Sequence, residues 1–378
     1  MKRFVSVLLS AILALSVFTG CSSGATSSSQ PAADKSAVAS ESTSASASAP
    51  SPENAVKGKI AYVTGTGGLG DKSFNDLGNL GIKRLQETGV TCDIAEPKSI
   101  SEVEGILRNF SETGDYALII AMGGAMVDPL KKISVDYPKQ NYMVIDGLAG
   151  MPTIKSVMIS QTDEAFLVGA FAGLMEKDGK LPKAQGKNTI GIVGGNDIPL
   201  IRGIVAAYEA GARYANPECK VLSAYVGSWS DPAKGSELTQ GMYEQGASIV
   251  FQAAGGSGMG VIEAAKKSGY YAIGYDGNQN SLAPDNMIGS GVRGLDAMVE
   301  QSAKEALAGT FTGGDLKIGM KDNNQASQIA LTETNIKVPA EISAKLDNIK
   351  KFLTETDIEI PSEPAAVNDY LAKIGSMK

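Results

Sequence analysis

Residues 58–378 predict two successive α/β lobes, each a doubly wound parallel sheet, joined by a hinge. Three observations carry that expectation. Apolar runs of strand length alternate with segments of helical period along this region. The strands are apolar without interruption, as in residues 116–121 (YALIIA) and 142–146 (YMVID), which suits parallel strands covered on both faces. The alternation also pauses at residues 157–160 and then restarts, so the pattern runs twice.

The chain begins with a leader. Lys2 and Arg3 precede an apolar run at residues 5–18, and Thr19 and Gly20 stand directly before Cys21. The run has signal-peptide length and is short for a permanent span. Residues 1–20 therefore read as a signal peptide, and the small pair before Cys21 resembles a bacterial lipobox. Acyl chains such as palmitate on Cys21 would hold the protein to the extracytoplasmic face of the cell membrane. Residues 22–57 are rich in Ser and Ala and nearly free of large apolar side chains. They cannot bury enough surface to offset ordering entropy, so residues 21–57 read as a lipidated cysteine on a flexible tether.

Composition excludes several activities. The formal charge is −7 and no basic stretch stands out, which argues against a nucleic-acid partner. Histidine is absent, which removes Ser-His-Asp and Cys-His catalysis and any His-based metal site. Cys92 and Cys219 fall in different lobes; a disulfide between them is one reading, and two buried, inert thiols is the expectation.

In the first lobe, strands are expected at 60–63, 90–94, 116–121 and 142–146. Helices are expected from about Ser73 to 87, at 101–110 with Ser101 as the cap, and at 127–136. Residues 157–160 read as a crossover. The second lobe follows with a helix at 164–175, strands at 189–193, 221–226, 248–252 and 271–275, and helices at 201–214, 233–245 and 260–268. Residues 287–292 read as a return crossing, followed by helices at 296–308 and 340–354. The expected limits are 58–157 with about 288–318 for the first lobe, and 158–287 with about 319–378 for the second.

Ligands of open α/β sheets bind beyond the carboxyl ends of the strands. The loop from Thr64 to Asn75 follows the first strand and holds Gly65-Thr-Gly67-Gly-Leu-Gly70, with Asp93 further on, a match to the dinucleotide pattern. Asp71 and Asp76 flank the following helix start and would repel a pyrophosphate, so this reading is set aside and no cofactor is expected. Asp146 and Asp276 end apolar strands at comparable points of the two halves (VIDG and GYDG). Either aspartate alone reads equally as a turn residue; their repetition favours ligand contact. Phe74 is suited to stack on a planar ligand or to fill the core, and Asn75 to read a base edge or to cap the helix.

Gly70-Asp-Lys-Ser-Phe-Asn75 resembles the D-x-S-F-N motif of the basic membrane protein family, the purine nucleoside receptor lipoproteins of ABC importers. Further matches are Tyr137-Pro138, Ile145-Asp146, 166–172 (FLVGAFA), 191–195 with Ile198-Pro199, 225–235 (YVGSWSDPAKG), 253–265, 276–279 and 282–284. That family is similar to the type I periplasmic binding proteins, whose two lobes close on a ligand. The resemblance implies that Phe74 stacks on a base and Asn75 contacts it, with Asp71 and Ser73 beside them in the motif. It implies that Asp146 accepts from the base edge, and that Gly256 and Asp276 hold the ribose. Ile204 stands where the family has a second stacking aromatic, and Arg293 where it has a ribose-binding lysine. Trp229 reads as a core anchor or as replacement stacking.

The expectation is a monomeric, non-enzymatic solute receptor that delivers a nucleoside to an ABC permease and its ATPase. Alternatives are a receptor for a sugar, a sensory or adhesive surface lipoprotein, and an oxidoreductase using the glycine loop.

Overall fold

Parallel strands covered on both faces bury nearly every side chain they carry, and the central strands of both sheets do so apart from Tyr116 and Ala117 at the start of one. The computed structural model describes residues 58–375 apart from Gln185 and Asn324. The leader, Cys21 and the tether lie outside the described residues. The chain starts with β1 (Lys59–Val63), α1 (Phe74–Glu87), β2 (Cys92–Ala95), α2 (Ile100–Thr113), β3 (Tyr116–Met122), α3 (Val127–Asp136), β4 (Tyr142–Ile145) and β5 (Ile154–Ile159). It continues with α4 (Gln161–Asp178), β6 (Thr189–Gly194), α5 (Pro199–Ala215), β7 (Lys220–Tyr225), α6 (Pro232–Glu244), β8 (Ile249–Ala253), α7 (Gly258–Ser268), β9 (Tyr271–Gly274) and β10 (Met287–Arg293). It ends with α8 (Leu295–Leu307), β11 (Gly314–Ile318), β12 (Ser327–Ala330), α9 (Ala340–Glu355) and α10 (Val367–Ile374).

The two sheets have one topology. Their orders are β11-β5-β4-β3-β1-β2 and β12-β10-β9-β8-β6-β7. All neighbours are parallel except β10 and β12. In the first sheet Ile60 and Tyr62 join one core cluster with α1 and α8, while Ala61 and Val63 join a second with α2 and α3. The period of two along the strand assigns alternate residues to opposite faces.

Several boundaries differ from the sequence reading. Residues 157–160 are largely the end of β5, a full strand of the first sheet, and residues 287–292 belong to β10 of the second sheet. The chain therefore returns to the first lobe after Arg293 and not at about residue 288. An apolar strand and an apolar crossing have the same composition; pairing of β10 with β9 and β12 decides between them. Ser99 rather than Ser101 precedes α2, because Glu102 reaches back to the Lys98 N–H (3.1 Å) and the Ser99 hydroxyl (3.1 Å). Cys92 is half-buried and Cys219 buried, both as free thiols; burial pushes them up to about 11 and about 12.

Three segments cross between the lobes, following β5, β10 and β11, and they are tied together. Ser160 N–H donates to the Ile318 carbonyl (2.8 Å) and Met320 N–H to the Asp163 carboxylate (2.7 Å). Arg293 donates to the Ile159 carbonyl (3.3 Å). Behind them α4 is buried nearly all round and crosses α5 at backbone contact. A Cβ at Gly211 would overlap the Phe166 carbonyl, and one at Gly169 the Tyr208 carbonyl. Gly211→Ala is therefore expected to destabilise the fold by about 1–3 kcal/mol through overpacking. The measurement is urea unfolding, with a lower midpoint at unchanged slope.

Candidate functional site

The loops after β1, β3, β4, β6, β7, β8 and β9 converge with the end of β10 on one cavity of about 850 Å³, its open mouth included. Both lobes contribute, and all of these loops leave the carboxyl ends of their strands, where the duplicated topology places a crevice.

The Thr64–Asn75 loop is held by its own carboxylates. Asp71 is buried and accepts four bonds: from the N–H groups of Ser73 (2.9 Å), Asn75 (2.9 Å) and Asp76 (3.0 Å), and from the Asn75 side-chain amide (3.0 Å). Burial raises its carboxyl above the ordinary range, and those N–H donors oppose the rise. Asp76 takes the N–H groups of Gly70 and Lys72, and Glu96 takes that of Leu69. Gly65 N–H donates to Asn75 Oδ1 (2.7 Å). These bonds occupy the N–H groups of Gly65, Leu69, Gly70 and Lys72, and Gly68 N–H donates to the Gly65 carbonyl (3.0 Å), so most of the loop's amides serve its own turn and few are left for an anion. Gly68 and Gly70 adopt φ of 70° and 90°, the left-handed region that the turn requires. Asp93, at the spacing of a ribose-binding acid, instead accepts from the Tyr116 hydroxyl (2.7 Å).

Asn75 keeps one amide N–H free of these partners, and Phe74 and Asn75 both line the cavity. Ser73 does not. Its buried hydroxyl lies 2.9 Å from the Tyr275 carbonyl and 3.1 Å from Asp276 Oδ2, which ties the first lobe to the second.

Asp146 and Asp276 both line the cavity at equivalent strand ends, with φ of 58° and 66°. Few residues with a Cβ adopt that conformation, and its repetition marks the two ends as built positions. Between them lies Arg293, buried and also lining the cavity. Its guanidinium donates to both oxygens of Asp146 (3.0 and 2.9 Å) and twice to Asp276 Oδ1 (2.9 and 2.5 Å). Burial pulls the guanidinium down, but Asp146 and Asp276 leave it well above its ordinary value. Asp276 is raised by burial and lowered by Arg293, with a net rise.

Ile204 does not line the cavity. It is fully buried in the core of the second lobe, one helical turn behind Ile201, which does line it. Residues three apart share one face of α5 and both pack in that core, so position along the helix decides: the cavity reaches only the first turn, where Leu200 and Ile201 lie. Two aromatics of the second lobe line the cavity, Tyr275 at the end of β9 and Trp229 from the loop after β7. Trp229 meets the glycines of both lobes. A Cβ at Gly195 would overlap its ring, and one at Gly67 of the first lobe would lie 3.3 Å from Trp229 Cβ. Gly256 lines the cavity opposite Asp71, where a Cβ would lie 3.8 Å from Asp71 Cβ. Sequence reasoning missed Gln161, Tyr275, Met122, Met126 and Ile198, which also line it. Tyr275 precedes Asp276 and Ile198 falls within one of the family matches, so both carried a signal; Gln161, Met122 and Met126 carried none.

Glu164 lies beside the cluster, fully buried, with Oε2 3.2 Å from Arg293 Nε. Burial lifts its carboxyl well above the ordinary 4.5; Arg293 opposes the rise, and Asp276 and Asp146 add to it. The folded chain thus holds a proton that the unfolded chain releases. The resulting stability is full below the unfolded value and is lost as pH rises through the folded one. Glu164→Gln keeps the shape and removes the titration. Melting between about pH 5 and pH 8 is expected to show the variant gaining on the wild type as pH rises. A constant difference across that window would show that Glu164 does not titrate there.

Comparison with known proteins bears on this geometry. A family model described as "ABC transporter substrate-binding protein PnrA-like" matches residues 59–360. Basic membrane protein A1 of Borrelia garinii subsp. bavariensis is 31% identical over 291 residues, covering 75% of this chain and 82% of the relative. An uncharacterized lipoprotein of Pyrococcus abyssi is 30% identical over 282 residues, covering 71% of this chain and 68% of the relative. The crystal structure of a solute-binding protein of an ABC transporter system from Aeropyrum pernix is similar in fold. Its TM-score is 0.74 at 23% identity, covering 84% of this chain and 97% of that one.

Proposed function

The chain belongs to the PnrA-like family of ABC-transporter substrate-binding proteins, and from that premise we propose that its cleft captures a nucleoside, with a purine as the base. It is a binding protein with a two-lobed fold of the type I periplasmic class and not an enzyme. The observation that carries the nucleoside reading is the pairing of walls and floor. Phe74 of the first lobe and Trp229 of the second reach one cavity that Asp146 and Asp276 close at the strand ends. Two aromatic walls suit a planar ring, and strand-end carboxylates suit its N–H and hydroxyl donors. The free amide N–H of Asn75 adds a donor for a ring nitrogen or carbonyl.

Capture proceeds by lobe closure about the three crossing segments, a hinge motion stabilised by contacts from both sides. The loaded receptor, a monomer, then meets the permease of its ABC importer, which works with an ATPase subunit. Relatives named as lipoproteins support the reading of Cys21 as a lipid anchor on the extracytoplasmic face. Among the described residues no helix is long and apolar enough to cross a membrane.

Thermal denaturation with guanosine, adenosine, inosine, uridine and D-ribose tests the ligand class. A ligand at about one hundred times its dissociation constant stabilises by about 2.7 kcal/mol. A midpoint shift with a purine nucleoside and none with ribose is the expected result; a shift with ribose alone makes the protein a sugar receptor.

A further inference from the structure

We propose that Gln161 and Tyr275, and not Arg293, make the hydrogen bonds to the sugar hydroxyls of the ligand, an inference that rests on the nucleoside reading above. A guanidinium has five N–H donors. Those of Arg293 are all used within the protein: Nε on Asp276, Nη1 on Asp146 and the Ile159 carbonyl, Nη2 on Asp146 and Asp276. Nothing remains on it for a ligand. Its place is between the lobes, where it orients the two carboxylates.

Gln161 and Tyr275 present the opposite situation. Both are more than nine-tenths buried and both line the cavity. Gln161 Nε2 and the Tyr275 hydroxyl have no hydrogen-bond partner among the described residues. Gln161 opens α4 directly after the first crossing, and Tyr275 immediately precedes Asp276. The Tyr275 ring is fixed by the Arg293 guanidinium at 5.6 Å and by Phe251 edge-on at 5.4 Å. Its hydroxyl therefore cannot swing out to find another partner.

An unpaired buried donor is costly, so such groups gain most from a ligand that satisfies them. The chemistry that fits is a hydroxyl. It accepts from the Gln161 amide or the Tyr275 O–H, and it donates its own proton to a lone pair that Asp146 or Asp276 retains. Ribose carries such groups in a row, whereas a free base carries none. The two residues would then distinguish a ribonucleoside from its deoxy analogues and from the base.

The test is titration calorimetry on the wild type, Gln161→Met and Tyr275→Phe. The probes are guanosine, adenosine, inosine and uridine, then the 2′-deoxy and 3′-deoxy analogues and the free base of the tightest binder. Each variant is expected to lose about two- to tenfold in affinity for the ribonucleoside. For the analogue that lacks the contacted hydroxyl, and for the free base, the loss should vanish. Variants that bind the ribonucleoside like the wild type overturn the assignment, as does an equal loss for ribonucleoside and free base. Tyr275→Phe removes a single oxygen and decides the matter alone if Gln161→Met does not fold. If the wild type binds none of the nucleosides, the reading under Proposed function fails and this assignment falls with it.

Discussion

Phe74→Ala is expected to weaken nucleoside binding by about 30- to 1500-fold. Burying a phenylalanine side chain against a partner contributes about 1.5–3 kcal/mol, and ring stacking adds about 0.5–1.5 kcal/mol. Both terms vanish in the variant, and about 1.4 kcal/mol corresponds to each factor of ten. Phe74 is half-buried, packs beside the core of the first lobe and opens α1, so some fold stability is lost as well. That loss is expected to be the smaller effect, because α1 is anchored elsewhere: Arg84 pairs with Asp296 (2.7 Å) and Glu300 (2.6 Å) of α8. Titration calorimetry beside a melting curve separates the two. A variant that melts like the wild type and binds as tightly would show that Phe74 is a core residue and no part of the ligand wall.

Arg293→Met is expected to destabilise the folded chain by about 3–5 kcal/mol. Removing one partner of a buried ion pair leaves the others charged and unmatched. Here the abandoned groups are Asp146 from the first lobe and Asp276 from the second, each bonded to the guanidinium at 3.0 Å or less. The triple variant Arg293→Met, Asp146→Asn, Asp276→Asn removes the charges together and is expected to recover much of that stability, since a buried charge cluster contributes little net over neutral groups that fit. Urea unfolding compares the two. Equal loss in the single and triple variants would mean that the arginine acts through packing and not through charge.

Much of the fold was legible in the sequence because its causes are local. Buried parallel strands such as β3 and β4 are unbroken apolar runs, and α3 matches its expected limits at both ends. The repeated carboxylate after β4 and β9 is legible because a strand end is a local event, and both residues line the cavity. Errors arose where two segments of like composition differ only in what they pair with. β5 and β10 read as crossings because an apolar strand and an apolar linker look the same until a neighbour is found.

The site divides along the same line. By itself the sequence determined that a glycine-rich turn precedes Phe74 and Asn75, and that Asp146 and Asp276 stand at matching strand ends. These follow from the short-range rules of turns, caps and strand periodicity. Only the tertiary structure decided that the cavity reaches Ile201 and Trp229 but stops short of Ile204, that Ser73 ties the lobes, and that Arg293 spends all its donors on protein acceptors. Arg293 and Asp146 are separated by 147 positions, and their meeting depends on how two sheets close on each other. Saturation of a donor is a property of its surroundings, so no local pattern records it.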